Sequence, residues 1–273
     1  MERPPPPCDL SYLPDDVQSY LAALRNTLLA ALGVEQVLQI YLVGSASYPS
    51  GYISGRSDLD VAVVTRTQLD QVALSRIPEL CSHGALPCPA DKLELVIYAY
   101  EAIHGRTALP YDISLNYNTG RALPRDHERF GNNPDDSPHW FILDIAAAHA
   151  HNVALLARPD FAEVFTPQLE PQQVLDALLM SLRWHMTHEP TSANAVLNAC
   201  RAWRWSDEGV FGSKTEGGDF ALSRLSDPAA QVVRSALAFR MSPGAGAGSG
   251  ETSKEAAGDL YGIIASALGD GER

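Results

Sequence analysis

No stretch of this 273-residue sequence approaches the roughly 20 consecutive apolar residues that a bilayer-spanning helix needs, so no membrane span is expected. The opening Met1–Pro7 has no apolar core of a secretory leader. Its four consecutive prolines predict an extended, solvated lead-in. Cysteine is scarce: Cys8, Cys81, Cys88 and Cys200, with no pair at the C-x-x-C spacing of a zinc or redox site. Cys81, His83 and Cys88 lack an evident fourth ligand, so a metal–thiolate site is not expected. Reduced thiols in a cytoplasmic protein are. Positive charge is also short, 20 Lys and Arg against 33 Asp and Glu, for a net charge of −13. Gripping nucleic acid requires phosphate neutralisation by Lys and Arg, and this balance argues against it. No internal repeat is visible.

What is present describes a folded chain. Hydrophobic residues make up 45% and charged residues 19%, enough to bury a core in one large or two modest domains. Val17, Leu21, Leu24, Leu28 and Leu32 recur every three or four positions and predict a helix over 15–32, with Gly33 as its stop. Val37–Val43, Leu59–Thr65 and Leu93–Tyr100 read as strands, and 68–80 as a helix between them. The polar, breaker-rich stretch 132–136 marks a change of texture. Beyond it the pattern is helical: one helix through Ile142, Ala146, Ala150, Val153 and Leu156, then 171–187, 193–205, 228–240 and 254–268. Ser242–Thr252 is low in complexity and reads as a loop. The expectation is an α+β chain: a mixed-sheet domain over 1–134 and an α-helical bundle domain over 135–273.

The chemistry concentrates in Tyr41–Thr65. A β-run ends at Gly44-Ser45, a Gly/Ser/Pro-rich connection follows, and the chain re-enters a β-run through Ser57-Asp58-Leu59-Asp60. Alternation puts Asp58 and Asp60 on one face of that strand. Two adjacent carboxylates repel, and a hard divalent cation such as Mg²⁺ relieves the repulsion. Gly44 lets backbone approach a ligand closely, and Ser45 offers hydroxyl and N–H donors to phosphate oxygens. A third acid, Glu94, alternates away from the core positions Leu93, Leu95 and Ile97. Three acids converging on one site are suited to metal-assisted phosphoryl or nucleotidyl transfer.

With these residues in hand, the chain resembles the DNA polymerase β-like nucleotidyltransferases, and more closely the aminoglycoside adenylyltransferases that act on streptomycin and spectinomycin. The likeness runs from Gly44-Ser45-Ala46 through Ser57-Asp58-Leu59-Asp60 and Leu93-Glu94 to His151-Asn152-Val153-Ala154-Leu155. It continues through Asn194-Ala195-Val196-Leu197, Arg201-Ala202-Trp203 and Ser213-Lys214 ahead of Asp219-Phe220-Ala221. The resemblance implies that Gly44, Ser45 and Ser57 meet the nucleotide phosphates and that Asp58, Asp60 and Glu94 form the Mg²⁺ and catalytic centre. It implies that Glu94 is the general base, and that Arg201 and Lys214 contact the triphosphate. The implied reaction moves AMP from ATP to a hydroxyl of a small molecule, an aminoglycoside or aminocyclitol antibiotic, and releases pyrophosphate. The implied context is antibiotic resistance, with a monomeric protein that binds neither nucleic acid nor membrane.

The sequence departs from those relatives where they carry acceptor-binding groups. Asn116–Arg121 has neither the acid nor the tryptophan of the streptomycin-modifying enzymes. The loop His185–Ser192 has no tryptophan, and Glu189 is its only acid. Two alternatives stay open: an adenylyltransferase for another acceptor, a natural-product intermediate or a protein side chain, and a nucleotide-binding module with decayed catalysis. Trp184 and Trp203 are expected in the core. His149 and His151 are expected to be structural, and His185 and His188 to lie on the surface.

Overall fold

A computed structural model describes residues 9–104, 113–129, 139–156, 158, 169–242 and 253–269. The proline lead-in, Cys8, the stretch 132–136 and nearly all of the 242–252 loop lie outside the described residues. By their contacts the residues fall into two units, Met1–Gln168 and Leu169–Arg273.

In the first unit the apolar stripe of helix α1 (Asp15–Leu32) packs on a sheet. Val17, Leu21, Leu24 and Leu28 are buried against residues of strands β1 (Val37–Val43), β2 (Leu59–Thr65) and β3 (Leu93–Ala99). Helix α2 (Gln71–Cys81) adds Leu74 and Ile77 to the same core. Its start is capped by Asp70, whose side chain accepts from the Ala73 N–H at 2.8 Å. A short helix α3 (Tyr100–His104) follows β3. Strands β4 (Ile113–Thr119) and β5 (His127–Arg129) extend the sheet. Helix α4 (His139–Ala150) and strand β6 (Val153–Leu156) complete the described elements of this unit. The strand order is β5-β4-β3-β2-β1-β6, and the sheet is mixed: β2 and β3 run parallel, the other neighbours antiparallel.

Two expectations change here. The single helix drawn through Val153 and Leu156 ends at Ala150. His151 N–H reaches the Ala147 carbonyl at 2.9 Å, and the Asn152 side chain donates to the Ala148 carbonyl at 2.7 Å, closing the helix end. The next four residues pair with β1 instead. The boundary therefore falls at 168/169 rather than 134/135, because β6 belongs to the sheet.

The second unit is helical among the described residues: α5 (Pro171–His188), α6 (Ala193–Glu208), α7 (Lys214–Leu222), α8 (Ala229–Met241) and α9 (Lys254–Ala267). Helix α6 touches each of the other four. Capping side chains Ser192, Ser213 and Ser253 set the starts of α6, α7 and α9. Lys214, read from the sequence as part of a polar loop, is the first residue of α7. Trp184 and Trp203 are half-buried rather than core. Trp184 stacks on His188, and Trp203 meets Phe220 edge-on. No helix among the described residues is long and apolar enough to cross a membrane.

Candidate active site

Strand β1 ends where the chain must turn sharply. Gly44 takes a φ of +63°, a backbone conformation that costs other residues about 1–2 kcal/mol. A short helical turn, Gly44–Ser47, follows. It is held from several sides. The Ser47 hydroxyl donates to the Gly44 carbonyl at 2.8 Å. The Tyr12 hydroxyl lies 3.1 Å and 3.2 Å from the Ala46 and Ser47 carbonyls, and His151 Nε2 is 3.0 Å from the latter. The imidazole also stacks on Tyr48, with ring centroids 4.0 Å apart. A carbonyl partner fixes the tautomer, with the proton on Nε2. With the 46 and 47 carbonyls so engaged, the turn that carries Ser45 has one shape.

Gly44 also makes room. A Cβ there would lie 1.9 Å from Asp60 Oδ2. The sequence reading gave this glycine to ligand approach; the space it leaves is taken by the Asp60 carboxylate. Asp60 is opposite Val43 on the antiparallel side and opposite Glu94 on the parallel side. Glu94 in turn pairs with Asn118, and Asn118 with His127. Leu93, Leu95, Leu115 and Tyr117 face the core, so Asp60, Glu94, Asn116 and Asn118 share the other face of the sheet. The Asn118 amide donates to the Asn116 side-chain oxygen at 2.9 Å.

Asp58 precedes the strand rather than lying in it, since β2 starts at Leu59. Ser57 is buried, and its hydroxyl oxygen accepts from the Ile53 N–H at 2.9 Å. It closes the 53–57 turn.

The sequence reading missed Lys92. Its ammonium bonds Glu94 Oε1 and stands 3.5 Å from Asp58 Oδ2. Burial works to lower its pKa, but the carboxylates of Glu94, Asp58 and Asp60 outweigh that and hold it above the usual lysine range. The signal was present as K-x-E at the start of a strand, where alternation puts both side chains on one face. Asn118 carried no such signal, because its strand was not recognised.

Among the described residues, no three His, Cys, Asp or Glu side chains are gathered as they would be round a metal ion. The donor chemistry nevertheless suits a hard cation: Asp58 and Glu94 share one ammonium, and Asp60 pairs in register with Glu94. Cys81 and Cys88 offer nothing comparable. Burial raises both thiols, Cys81 to about 12, so they stay protonated.

The second unit has its own cationic cluster. Arg201 Nε donates to the Gly212 carbonyl at 2.8 Å, two residues before Lys214, which ties Arg201 to the segment leading into α7. Gly217 lets α7 lie flush on α6: a Cβ there would stand 2.7 Å from Arg201 Cγ. Arg201 Nη1 is 3.4 Å from Asn198 Oδ1. The Asn198 amide nitrogen is 3.3 Å from His185 Nε2, and His185 Nδ1 is 2.7 Å from Glu189 Oε1. His185 is buried, not exposed as expected. Burial, together with the charge of Lys214 and with His188, outweighs Glu189 and lowers its pKa. The neutral form, donating from Nδ1 to Glu189 and accepting at Nε2 from Asn198, satisfies both ring nitrogens.

Comparison with known proteins adds to this geometry. Residues 163–259 match the family model described as "Aminoglycoside adenylyltransferase, C-terminal domain". No curated protein matches the sequence. The chain is similar in fold to a crystal structure of spectinomycin adenyltransferase AAD(9) from Enterococcus faecialis with ATP and spectinomycin. The TM-score is 0.65 and the identity 15%, over 93% of this chain and 99% of that one.

Proposed function

We propose that this chain, whose residues 163–259 match the aminoglycoside adenylyltransferase C-terminal domain, is a nucleotidyltransferase that moves AMP from ATP to a hydroxyl of an aminoglycoside or aminocyclitol antibiotic. The observation that carries this reading is the register pairing of Asp60 with Glu94 across parallel β2 and β3, directly after the Gly44–Ser47 turn.

In this reading the turn residues Gly44 and Ser45 receive nucleotide phosphates, and Ser57 keeps the turn before Asp58 in shape. Arg201 and Lys214 supply positive charge that a triphosphate needs. Asp58, Asp60 and Glu94 would hold Mg²⁺, which when bound neutralises charge on the phosphates. Glu94 is the general base. As the acceptor oxygen attacks the α-phosphorus, the O–P bond forms, the bond to the departing pyrophosphate breaks, and the hydroxyl proton passes to the Glu94 carboxylate. Asn116 and Asn118, on the same sheet face, offer amide groups to a polyhydroxylated acceptor.

Two features favour an acceptor other than streptomycin. Asn116–Arg121 lacks the acid and tryptophan of the streptomycin-modifying relatives, and Glu189 of the 185–192 loop is engaged by His185. The acid excess also fits a cationic small molecule better than nucleic acid. The test is transfer of label from ATP labelled at the α-phosphate, with Mg²⁺, onto a panel that includes spectinomycin and streptomycin. Labelled antibiotic supports the reading. ATP binding with no transfer to any member removes the antibiotic acceptor.

A further inference from the structure

Lys92 stands two residues before Glu94, immediately before β3 begins at Leu93. Its backbone is fixed, because its carbonyl accepts the Leu59 N–H at 3.0 Å, tying it to the segment that carries Asp58 and Asp60. Its ammonium contacts Glu94 and Asp58, and its side chain is only 27% exposed. Carboxylates held close to one another repel and need a counter-charge when no metal is present. A lysine on a flexible four-carbon stem provides one that can also leave.

We propose that Lys92 is the resident counter-cation of the acidic cluster: in the nucleotide-free protein it competes with divalent metal for Asp58 and Glu94. It is a positioning residue. While engaged it holds the two carboxylates in place, and it keeps metal affinity low until nucleotide arrives. A bare divalent ion meets a site already carrying one positive charge. A metal–nucleotide complex brings further contacts that displace the ammonium.

The inference rests on reading Asp58, Asp60 and Glu94 as metal ligands, and one experiment separates the two. Mn²⁺ is titrated into nucleotide-free protein and followed by electron paramagnetic resonance of the free ion, for wild type, K92M, K92Q, K92R and D60N. K92M and K92Q should bind Mn²⁺ at least about tenfold more tightly than wild type, since a unit charge at this range is removed. K92R, which keeps the charge, should stay close to wild type. Circular dichroism checks that the variants are folded. Without metal, K92M and K92Q should melt below wild type and gain more from added Mn²⁺. Folded K92M and K92Q that bind Mn²⁺ no more tightly than wild type overturn the role of Lys92. Unchanged Mn²⁺ binding by D60N overturns the metal-ligand reading itself.

Discussion

Gly44 and Asp60 compete for the same space: a Cβ on the glycine would lie 1.9 Å from the aspartate Oδ2. The positive φ of Gly44 and the missing side chain are thus two separate requirements at one position, one for the turn and one for the carboxylate beside it.

Gly44→Ala should therefore disturb the site more than the fold. The backbone strain costs about 1–2 kcal/mol. The added methyl group must push the Asp60 carboxylate aside, and misplacing a reacting group by about 1 Å costs on the order of 10²-fold in rate. Denaturant unfolding and kcat/KM on the same sample separate the two effects.

The Gly44–Ser47 turn is fixed by Tyr12 and His151 through its 46 and 47 carbonyls. Tyr12→Phe should cost about 1 kcal/mol of stability, as for one ordinary hydrogen bond. It should raise the KM for ATP while leaving kcat near wild type if, as proposed, the turn receives phosphates and takes no part in the proton transfer. Steady-state kinetics with ATP varied checks the split.

His185 gives the second unit a pH dependence with a definite sign. Its folded pKa lies below that of the unfolded chain, about 6.5. The unfolded state therefore binds more protons, and stability is full above about pH 6.5 and falls as pH drops below it. Burial sets this shift, Lys214 and His188 add to it, and Glu189 opposes it. His185→Gln should flatten the dependence, measured by urea unfolding from about pH 7.5 to about pH 5.

The first half of the molecule was legible where periodicity is strong. Helix α1 and strands β1 and β2 have the bounds that their apolar spacing predicts. The acids of the site could be named because S-D-x-D follows G-S and Glu94 alternates out of a strand. The edge strands were not legible. Strand β6 is four residues long and continues the helical spacing of α4, while β4 carries four polar residues in seven, Ser114, Asn116, Asn118 and Thr119. Missing β4 hid Asn118, and reading β6 as helix misplaced the boundary. For Lys92 the K-x-E spacing announces the neighbour Glu94, while its nearness to Asp58 comes from the hydrogen bond of Leu59 N–H to the Lys92 carbonyl, which no sequence pattern shows. Gly217 and Gly212 likewise have no sequence pattern that announces their packing against Arg201 and Arg204.

The central claim is that Glu94 acts as base beside Asp60 in an ATP-dependent transfer to an antibiotic. Pyrophosphate release, measured with ATP and Mg²⁺ in the presence and absence of that acceptor, tests it for wild type and Glu94→Gln alongside ATP binding. The account predicts that wild type releases pyrophosphate only when the acceptor is present. It predicts that Glu94→Gln keeps ATP affinity and loses about 10²–10⁴-fold of the rate. Unchanged turnover in Glu94→Gln, or release that ignores the acceptor, would contradict it.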